Sequence, residues 1–112
     1  AYLQRLREQD RLKERLLDIM ATHRLDALVF PHQQRLVVKI DESQVERNGV
    51  LASVTGFPSI TIPAGFSVPS ATAPLGVPIG IEFLGRPWSE RTLIGLAGAL
   101  EQAMPVHKAP IL

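Results

Sequence analysis

The segment Thr55–Phe66, TGFPSITIPAGF, constrains the fold most, because two prolines and two glycines enclose a run of strand-forming residues. Proline fixes φ and removes a backbone donor, whereas glycine permits turns that other residues resist. Ser59–Ile62 has strand composition, and its two isoleucines share one face. Gly56 suits a turn with positive φ, and Pro58 can start a strand without a ladder N–H. We therefore predict a short strand whose pairing ends at Pro63.

Hydrophobic periodicity predicts a helix near each end of the chain. Ala1–His23 lacks Gly and Pro and is rich in good helix formers. Ser89–Met104 begins with a residue suited to N-capping, Ser89, and is stopped by Pro105. Each helix carries an apolar stripe at helical spacing, formed by Leu12, Leu16, Ile19 and Met20 in the first and by Leu93, Leu96, Ala97, Leu100 and Met104 in the second.

Three further segments complete the expected layer. Ala27–Phe30 is an apolar run stopped by Pro31, and it predicts a buried strand. Leu36–Ile40 is β-branched, and it favours an edge strand or an extended loop. Asn48–Val54 is typical of one or two helical turns.

The strand signal is clearest in Ile79–Leu84, where alternation points Glu82 away from the isoleucine face. Because the loop Ser67–Val77 separates this strand from Ser59–Ile62, we expect the two strands to pair antiparallel. The order of elements predicts an α/β fold, a mixed sheet flanked by helices. We treat 1–112 as a single domain or fragment, with a leading helix over 1–24 and the remaining elements over 25–112.

Composition excludes several classes of protein. With 12 basic and 11 acidic residues, the net charge of +1 creates no field that would attract nucleic acid or an anionic membrane, so neither is expected as a partner. No apolar stretch approaches the ~18 residues of a membrane span, and the charged start does not resemble a signal peptide. The absence of cysteine excludes a disulfide framework and a thiolate nucleophile. We expect a cytoplasmic chain that buries about two-thirds of its unfolded surface.

No catalytic, cofactor-binding or metal site emerges from the residue pattern. The three histidines, His23, His32 and His107, are not spaced with another histidine or a carboxylate to form a convincing ligand set, so no metal is expected. No serine lies in a Gly-x-Ser-x-Gly elbow, and no glycine-rich phosphate loop precedes a helix. Three carboxylates, Glu82, Glu90 and Glu101, are candidate acid–base groups, although a solvated or salt-bridged role is favoured for Glu82. Trp88 is interpreted as a packing anchor.

Several phrases resemble the C-terminal part of the amidase signature family, in the order typical of that family. LDALVFP, at Leu25–Pro31, resembles its strand that ends in proline. Thr55–Phe66 resembles its Thr-Gly-x-Pro strand followed by Pro-x-Gly. GVPIGIEFLGRPWSERTLIGLAGALEQ, at Gly76–Gln102, resembles its Gly-x-Pro-x-Gly strand, Gly-Arg turn and final helix. Pro110 resembles the proline near the end of such proteins, whereas Gln33–Gly49 matches no motif.

The resemblance implies hydrolysis of amide C–N bonds by a Ser nucleophile, a bridging Ser in a cis peptide, and a Lys. The Gly/Ser-rich signature that holds this serine is absent here. The lysines Lys13, Lys39 and Lys108 lie in no matching motif. No catalytic residue is therefore carried over, and the resemblance implies only the last strands and helix of a larger sheet, with part of the substrate-pocket wall.

Three hypotheses follow for the function. In the first, the chain is a C-terminal fragment or domain of an amidase-type hydrolase, inactive alone, whose partner is the missing N-terminal region. Its small amide substrate would bind only to the complete enzyme, which works by itself or within a larger assembly. In the second, the chain is a stand-alone oligomerisation or binding module that pairs with copies of itself. In the third, it is a small hydrolase that uses His32 or His107.

Overall fold

The computed structural model describes residues 1–109, which form helices on both faces of a small antiparallel sheet. The helices are α1 (Tyr2–Thr22), α2 (Val50–Thr55) and α3 (Glu90–Ala103), and the strands are β1 (Leu28–Pro31), β2 (Ser59–Phe66) and β3 (Pro78–Leu84). The two long helices and the short helix lie where the sequence predicts them. The expectation for Pro110 lies outside the described residues.

The central strand of the sheet is β3, with β1 and β2 paired antiparallel on either side of it. The predicted antiparallel pairing is thus confirmed. The prediction that β1 is buried is wrong, because β1 is an outer strand and its Val29 side chain is exposed. Pro31 does not stop β1 before pairing; it lies within the strand, opposite Ile81. An outer strand tolerates proline because one of its edges makes no ladder bonds.

Pairing in β2 continues beyond the proline at which the sequence predicts its end. Pro63 lies opposite Gly80, and the ladder resumes from Gly65 to Phe66 after an irregularity between Pro63 and Gly65. Gly65 has φ of 142°, which glycine adopts easily and other residues rarely do. The predicted positive φ at Gly56 is confirmed at 69°, where this residue caps the C-terminus of α2.

Two apolar clusters cover opposite faces of β3 at its C-terminal end. Phe83 packs beneath α3, whereas Leu84 packs beneath α1 and the segment around α2. Both strand faces are therefore covered, which gives a helix–sheet–helix arrangement. The first cluster consists of Ile62, Phe83, Leu93 and Ala97, and the second of Leu16, Phe57 and Leu84.

The segment between β1 and α2 has no strand at Leu36–Ile40, which agrees with the extended-loop alternative. Gln33 and Arg47 form an isolated antiparallel bridge that closes the base of this loop. The amide of Asn48 also donates to the carbonyl of Pro31 at 2.8 Å. These contacts hold the end of β1 beside the start of α2.

The chain exposes far more surface than a self-contained domain of its size. Its accessible surface is 8473 Å², against about 6,100 Å² for a folded monomer of 12.3 kDa. Its radius of gyration is 16.5 Å, whereas about 13 Å is typical of a compact domain of this length. The predicted burial of two-thirds of the unfolded surface is therefore not reached. Within residues 1–109, no helix combines the length and apolar character needed to cross a bilayer.

Candidate functional site

The fold brings together a histidine and a carboxylate that are 50 residues apart in the sequence. His32 Nδ1 lies 2.8 Å from Glu82 Oε2. The Glu82 side chain is only 2% exposed, whereas the His32 side chain is 42% exposed. The sequence expectation of a salt-bridged role for Glu82 agrees with this contact, but its alternative, a solvated side chain, is wrong. A buried carboxylate thus supports a half-exposed imidazole.

Backbone hydrogen bonds fix the position of His32 immediately after β1. Its N–H donates to the carbonyl of Gly80 at 3.3 Å, which extends the β1–β3 ladder by one residue. Its carbonyl accepts from the N–H groups of Asn48 at 3.0 Å and Gly49 at 3.3 Å. His32 is therefore tied both to the central strand and to the start of α2.

Gly49 also determines which edge of the imidazole is covered. A Cβ at this position would lie 2.5 Å from His32 Cε1, 2.9 Å from His32 Nδ1 and 3.1 Å from Glu82 Oε2. Only glycine leaves room for the ring in this position. Gly49 and Glu82 cover the Nδ1–Cε1 edge, and within residues 1–109 Nε2 makes no hydrogen bond and is not fully buried.

The imidazole lines an amphipathic groove with a volume of about 540 Å³. Its polar wall consists of His32 and the three residues that follow, up to Arg35. Aliphatic and proline side chains form the rest, among them Leu36, Val37 and Ile79. The guanidinium of Arg35 lies 3.9 Å from the Glu46 carboxylate, at the outer limit of an ion pair. The groove thus offers cationic and polar groups beside an apolar surface, which is typical of small-molecule sites.

A second groove, of about 650 Å³, is almost entirely apolar. It lies beside the end of β2, where Phe66 lines it together with Pro74 and Leu75. Lys108 supplies its cationic group, with Nζ 5.2 Å from the centroid of the Phe66 ring. This distance is within the range of a cation–π contact, so the amine is already engaged by the chain itself.

The serines do not form a nucleophile site in the part of the chain that is described. Within residues 1–109, no serine hydroxyl is hydrogen-bonded to a histidine or a lysine. Ser89 is the N-cap residue of α3, as the sequence predicts, but its side chain makes no capping hydrogen bond. Its hydroxyl instead donates to the carbonyl of Arg86 at 2.6 Å.

The other candidates from the sequence lie apart from the His32–Glu82 pair. His23 and His107 are exposed, as are Glu90 and Glu101 on α3. Trp88 is 92% exposed and has φ of 64°. The interpretation of this tryptophan as a packing anchor is therefore wrong for the described residues, because the turn points it away from both clusters. Across residues 1–109, no three His, Cys, Asp or Glu side chains are close enough together to hold a metal ion.

Sequence reasoning missed the His32–Glu82 contact because local spacing cannot detect a pair joined by strand pairing. One signal was available within β3. Glu82 shares its face with Leu84, a residue whose apolar character indicates that this face is also covered. A carboxylate beneath such a cover needs a partner, and the end of a neighbouring strand is the place to seek it.

Comparison with known proteins identifies the family. The family model described as Amidase matches residues 1–94. The fatty acid amide hydrolase of Arabidopsis thaliana is 43% identical over 61 residues, which is 54% of this chain and 9% of the relative. The mandelamide hydrolase of Pseudomonas putida is 32% identical over 90 residues, which is 73% of this chain and 17% of the relative.

Solved structures agree with this match. The native peptide amidase of Stenotrophomonas maltophilia superimposes with a TM-score of 0.74 and 32% identity, covering 95% of this chain and 21% of that one. Peptide amidase in complex with the competitive inhibitor chymostatin gives a TM-score of 0.66 at 30% identity, covering 96% of this chain and 22% of that one. The chain spans about a fifth or less of the length of these relatives. The α/β fold and the resemblance seen in the sequence are confirmed, and the chain belongs to the amidase family.

Proposed function

We propose that the chain is the C-terminal part of an amidase-type hydrolase that cleaves amide C–N bonds, and that it is inactive alone. The observation that carries this proposal is the family match over residues 1–94. In the proposed enzyme, this chain supplies strands, a helix and one wall of the substrate pocket. The nucleophile and its proton relay come from a part of the enzyme outside these 112 residues.

The uncovered surface supports this division. The chain exposes about 2,400 Å² more than a compact monomer of its mass. An excess of this size matches one side of a large obligate interface. Apolar side chains contribute to it from the first turns of α1 to the end of α3, among them Tyr2, Leu3, Ile94 and Met104. Contact with the rest of an amidase fold would cover such a surface.

The test is to produce the 112-residue chain alone and together with the remaining region of the enzyme as a separate polypeptide. We expect no hydrolysis of a panel of aliphatic and aromatic amides by the chain alone, and hydrolysis by the reconstituted pair. Hydrolysis by the isolated chain that is lost in His32→Ala or His107→Ala would contradict the proposal and support a small histidine-dependent hydrolase instead.

A second candidate function, a stand-alone oligomerisation module, is favoured by the open edges of the sheet. In the described part of the chain, β1 and β2 each have one edge without a partner strand. Open edges promote pairing with another chain. Light scattering on the isolated chain, with and without the remaining enzyme region, distinguishes the candidates. A dimer that persists when that region is added supports the module. A dimer that dissociates to bind that region supports the hydrolase.

A cytoplasmic location also stays a proposal, supported by the cysteine-free composition, which fits a reducing compartment. Fractionation of cells that produce the complete protein tests it. Recovery of the protein with periplasmic or extracellular markers would contradict it.

A further inference from the structure

We propose that His32 binds the substrate of the complete enzyme through Nε2, and that it selects amides that carry a carboxylate beside an apolar group. Glu82 and Gly49 act as positioning residues for this imidazole. The inference rests on the proposed amide hydrolase function and deepens it, because it assigns a substrate class to the amphipathic groove.

The His32–Glu82 pair buries a carboxylate at an energetic cost. Glu82 is 2% exposed, and a buried carboxylate is costly unless it is paired. A buried ion pair adds little net stability compared with apolar side chains of the same size. What the pair does provide is a fixed ring, since the 2.8 Å hydrogen bond engages Nδ1 and determines the ring's orientation.

The His32 ring is covered along its Nδ1–Cε1 edge. Gly49 packs so closely against Cε1 and Nδ1 that no side chain fits there. Two elements thus converge on one edge of the His32 ring, β3 through Glu82 and the start of α2 through Gly49, while backbone hydrogen bonds hold the residue at the end of β1. Within residues 1–109 Nε2 makes no hydrogen bond, the His32 side chain is 42% exposed, and His32 lines the groove.

The groove that His32 lines combines basic and apolar residues. Arg35 lines the same groove as His32, and its guanidinium lies 3.9 Å from the Glu46 carboxylate, at the outer limit of an ion pair. Leu36, Val37 and Ile79 form the apolar part of the groove. A carboxylate accepts hydrogen bonds from both nitrogen groups, and such charge-assisted bonds are about twice as strong as neutral ones. Nε2 can donate to it in the form of His32 in which both ring nitrogens carry hydrogen, with Nδ1–H donating to Glu82 Oε2.

The experiment uses the complete enzyme and two matched probes, N-succinyl-L-leucinamide and N-levulinoyl-L-leucinamide. The two acyl groups have similar size, but only succinyl ends in a carboxylate. Hydrolysis of either C–N bond is followed by mass spectrometry, and kcat and KM are measured separately. The readout is the ratio of kcat/KM for the succinyl probe to that for the levulinoyl probe, which a general loss of folded enzyme does not change.

His32→Asn is the central variant, because its amide nitrogen lies near the position of Nδ1 and leaves nothing at Nε2. We expect the ratio to fall about tenfold, through a higher KM for the succinyl probe. Gly49→Ala, which displaces the ring, should lower the ratio in the same direction. His32→Gln restores a donor near the position of Nε2 and should recover part of the ratio. His23→Asn, at an exposed histidine on another face, should leave it unchanged.

The outcomes separate this inference from the proposed function. If the enzyme hydrolyses both probes and His32→Asn leaves the ratio unchanged, the role of His32 is overturned while the hydrolase function stands. If the enzyme hydrolyses neither probe, binding decides the matter through the imidazole ¹⁵N signals of the complete protein. A shift of His32 Nε2 with the succinyl probe alone supports the inference, and no shift, or equal shifts with both probes, overturns it.

Discussion

The two ends of β3 lie in opposite environments, although they belong to one strand of seven residues. At the C-terminal end, Leu84 is fully buried and Phe83 nearly so, because helices cover both faces. At the N-terminal end, Pro78 and Ile79 are exposed and line the grooves. Glu82 lies between the two ends, buried but polar. The strand thus anchors the chain at one end and presents a surface at the other.

This difference teaches where the stability of the chain arises. The covered end of β3 supplies the apolar contacts, whereas the open end depends on hydrogen bonds. On the proposed function, the rest of the enzyme adds further contacts at the open end. Substitutions along β3 and its neighbours therefore measure how strongly the contribution to the free energy of unfolding differs between the two ends. They also show whether this difference between the two ends disappears in the complete enzyme.

The largest effect is expected at the covered end. Leu84→Ala should lower the free energy of unfolding of the isolated chain by about 2–5 kcal/mol, because it leaves a cavity between α1 and the sheet. Ile79→Ala, at the 38% exposed end, should cost about 1 kcal/mol or less. Urea denaturation measures both. Equal losses of stability for the two variants in the isolated chain would contradict the difference between the ends of β3. Equal losses in the complete enzyme alone would mean that the rest of the enzyme covers Ile79.

The next largest effect is expected at the boundary between the two ends. His32→Ala leaves the Glu82 carboxylate buried without its partner, and should cost about 1–3 kcal/mol. The double variant His32→Ala with Glu82→Leu should recover part of this loss, because an apolar side chain at 82 needs no partner. A double-mutant cycle by denaturation measures the coupling. A coupling energy near zero would show that the 2.8 Å contact does not stabilise the fold.

Alanine substitutions at two glycines should change the stability by smaller amounts and in opposite directions. Gly49→Ala should destabilise by about 1–2 kcal/mol, because its Cβ displaces His32 from Glu82. Gly95→Ala should stabilise by about 0.5–1 kcal/mol, because a Cβ meets nothing within 4 Å in the interior of α3. Thermal unfolding measures both. Gly49→Ser also adds a Cβ, but serine is a good N-cap residue for α2. If Gly49→Ser leaves the stability unchanged, the loss in Gly49→Ala comes from poorer capping, and the proposed clash between the Cβ and His32 is contradicted.

The smallest effect is expected at Trp88, the one tryptophan of the chain. Its positive φ costs energy that an asparagine would largely avoid, so Trp88→Asn should stabilise the isolated chain by less than about 1 kcal/mol. Iodide should quench its fluorescence in the chain alone. Protection from iodide in the complete enzyme would show that the remainder covers this side chain, and accessible fluorescence in both states would contradict cover at this turn.

Much of the fold follows from periodicity and punctuation, but the environment of particular residues does not. Helical spacing locates α1 and α3, and alternation locates β3. The same alternation misjudges Glu82, because it cannot tell whether a second layer covers the other face. Pro63 indicates an end because proline breaks interior strands, whereas an outer strand with a glycine nearby continues past it. The size of Trp88 indicates packing, although its turn sets its direction.

The candidate site is the least predictable feature, since it depends on three segments that meet only after folding. His32, Gly49 and Glu82 lie in separate parts of the sequence and share no spacing rule. Only Glu82 lies within a phrase that resembles the family, and the motif there describes the backbone of a strand and a turn. A site of this kind becomes visible only when strand register is known.

The large uncovered surface also has a consequence for the life of the chain in a cell. Exposed apolar surface and open strand edges promote aggregation and prolong engagement by chaperones and proteases. A copy produced without the rest of the enzyme should therefore be degraded faster than one that is joined to it. On the proposed function, the cellular abundance of these 112 residues would then follow the supply of the region that covers them.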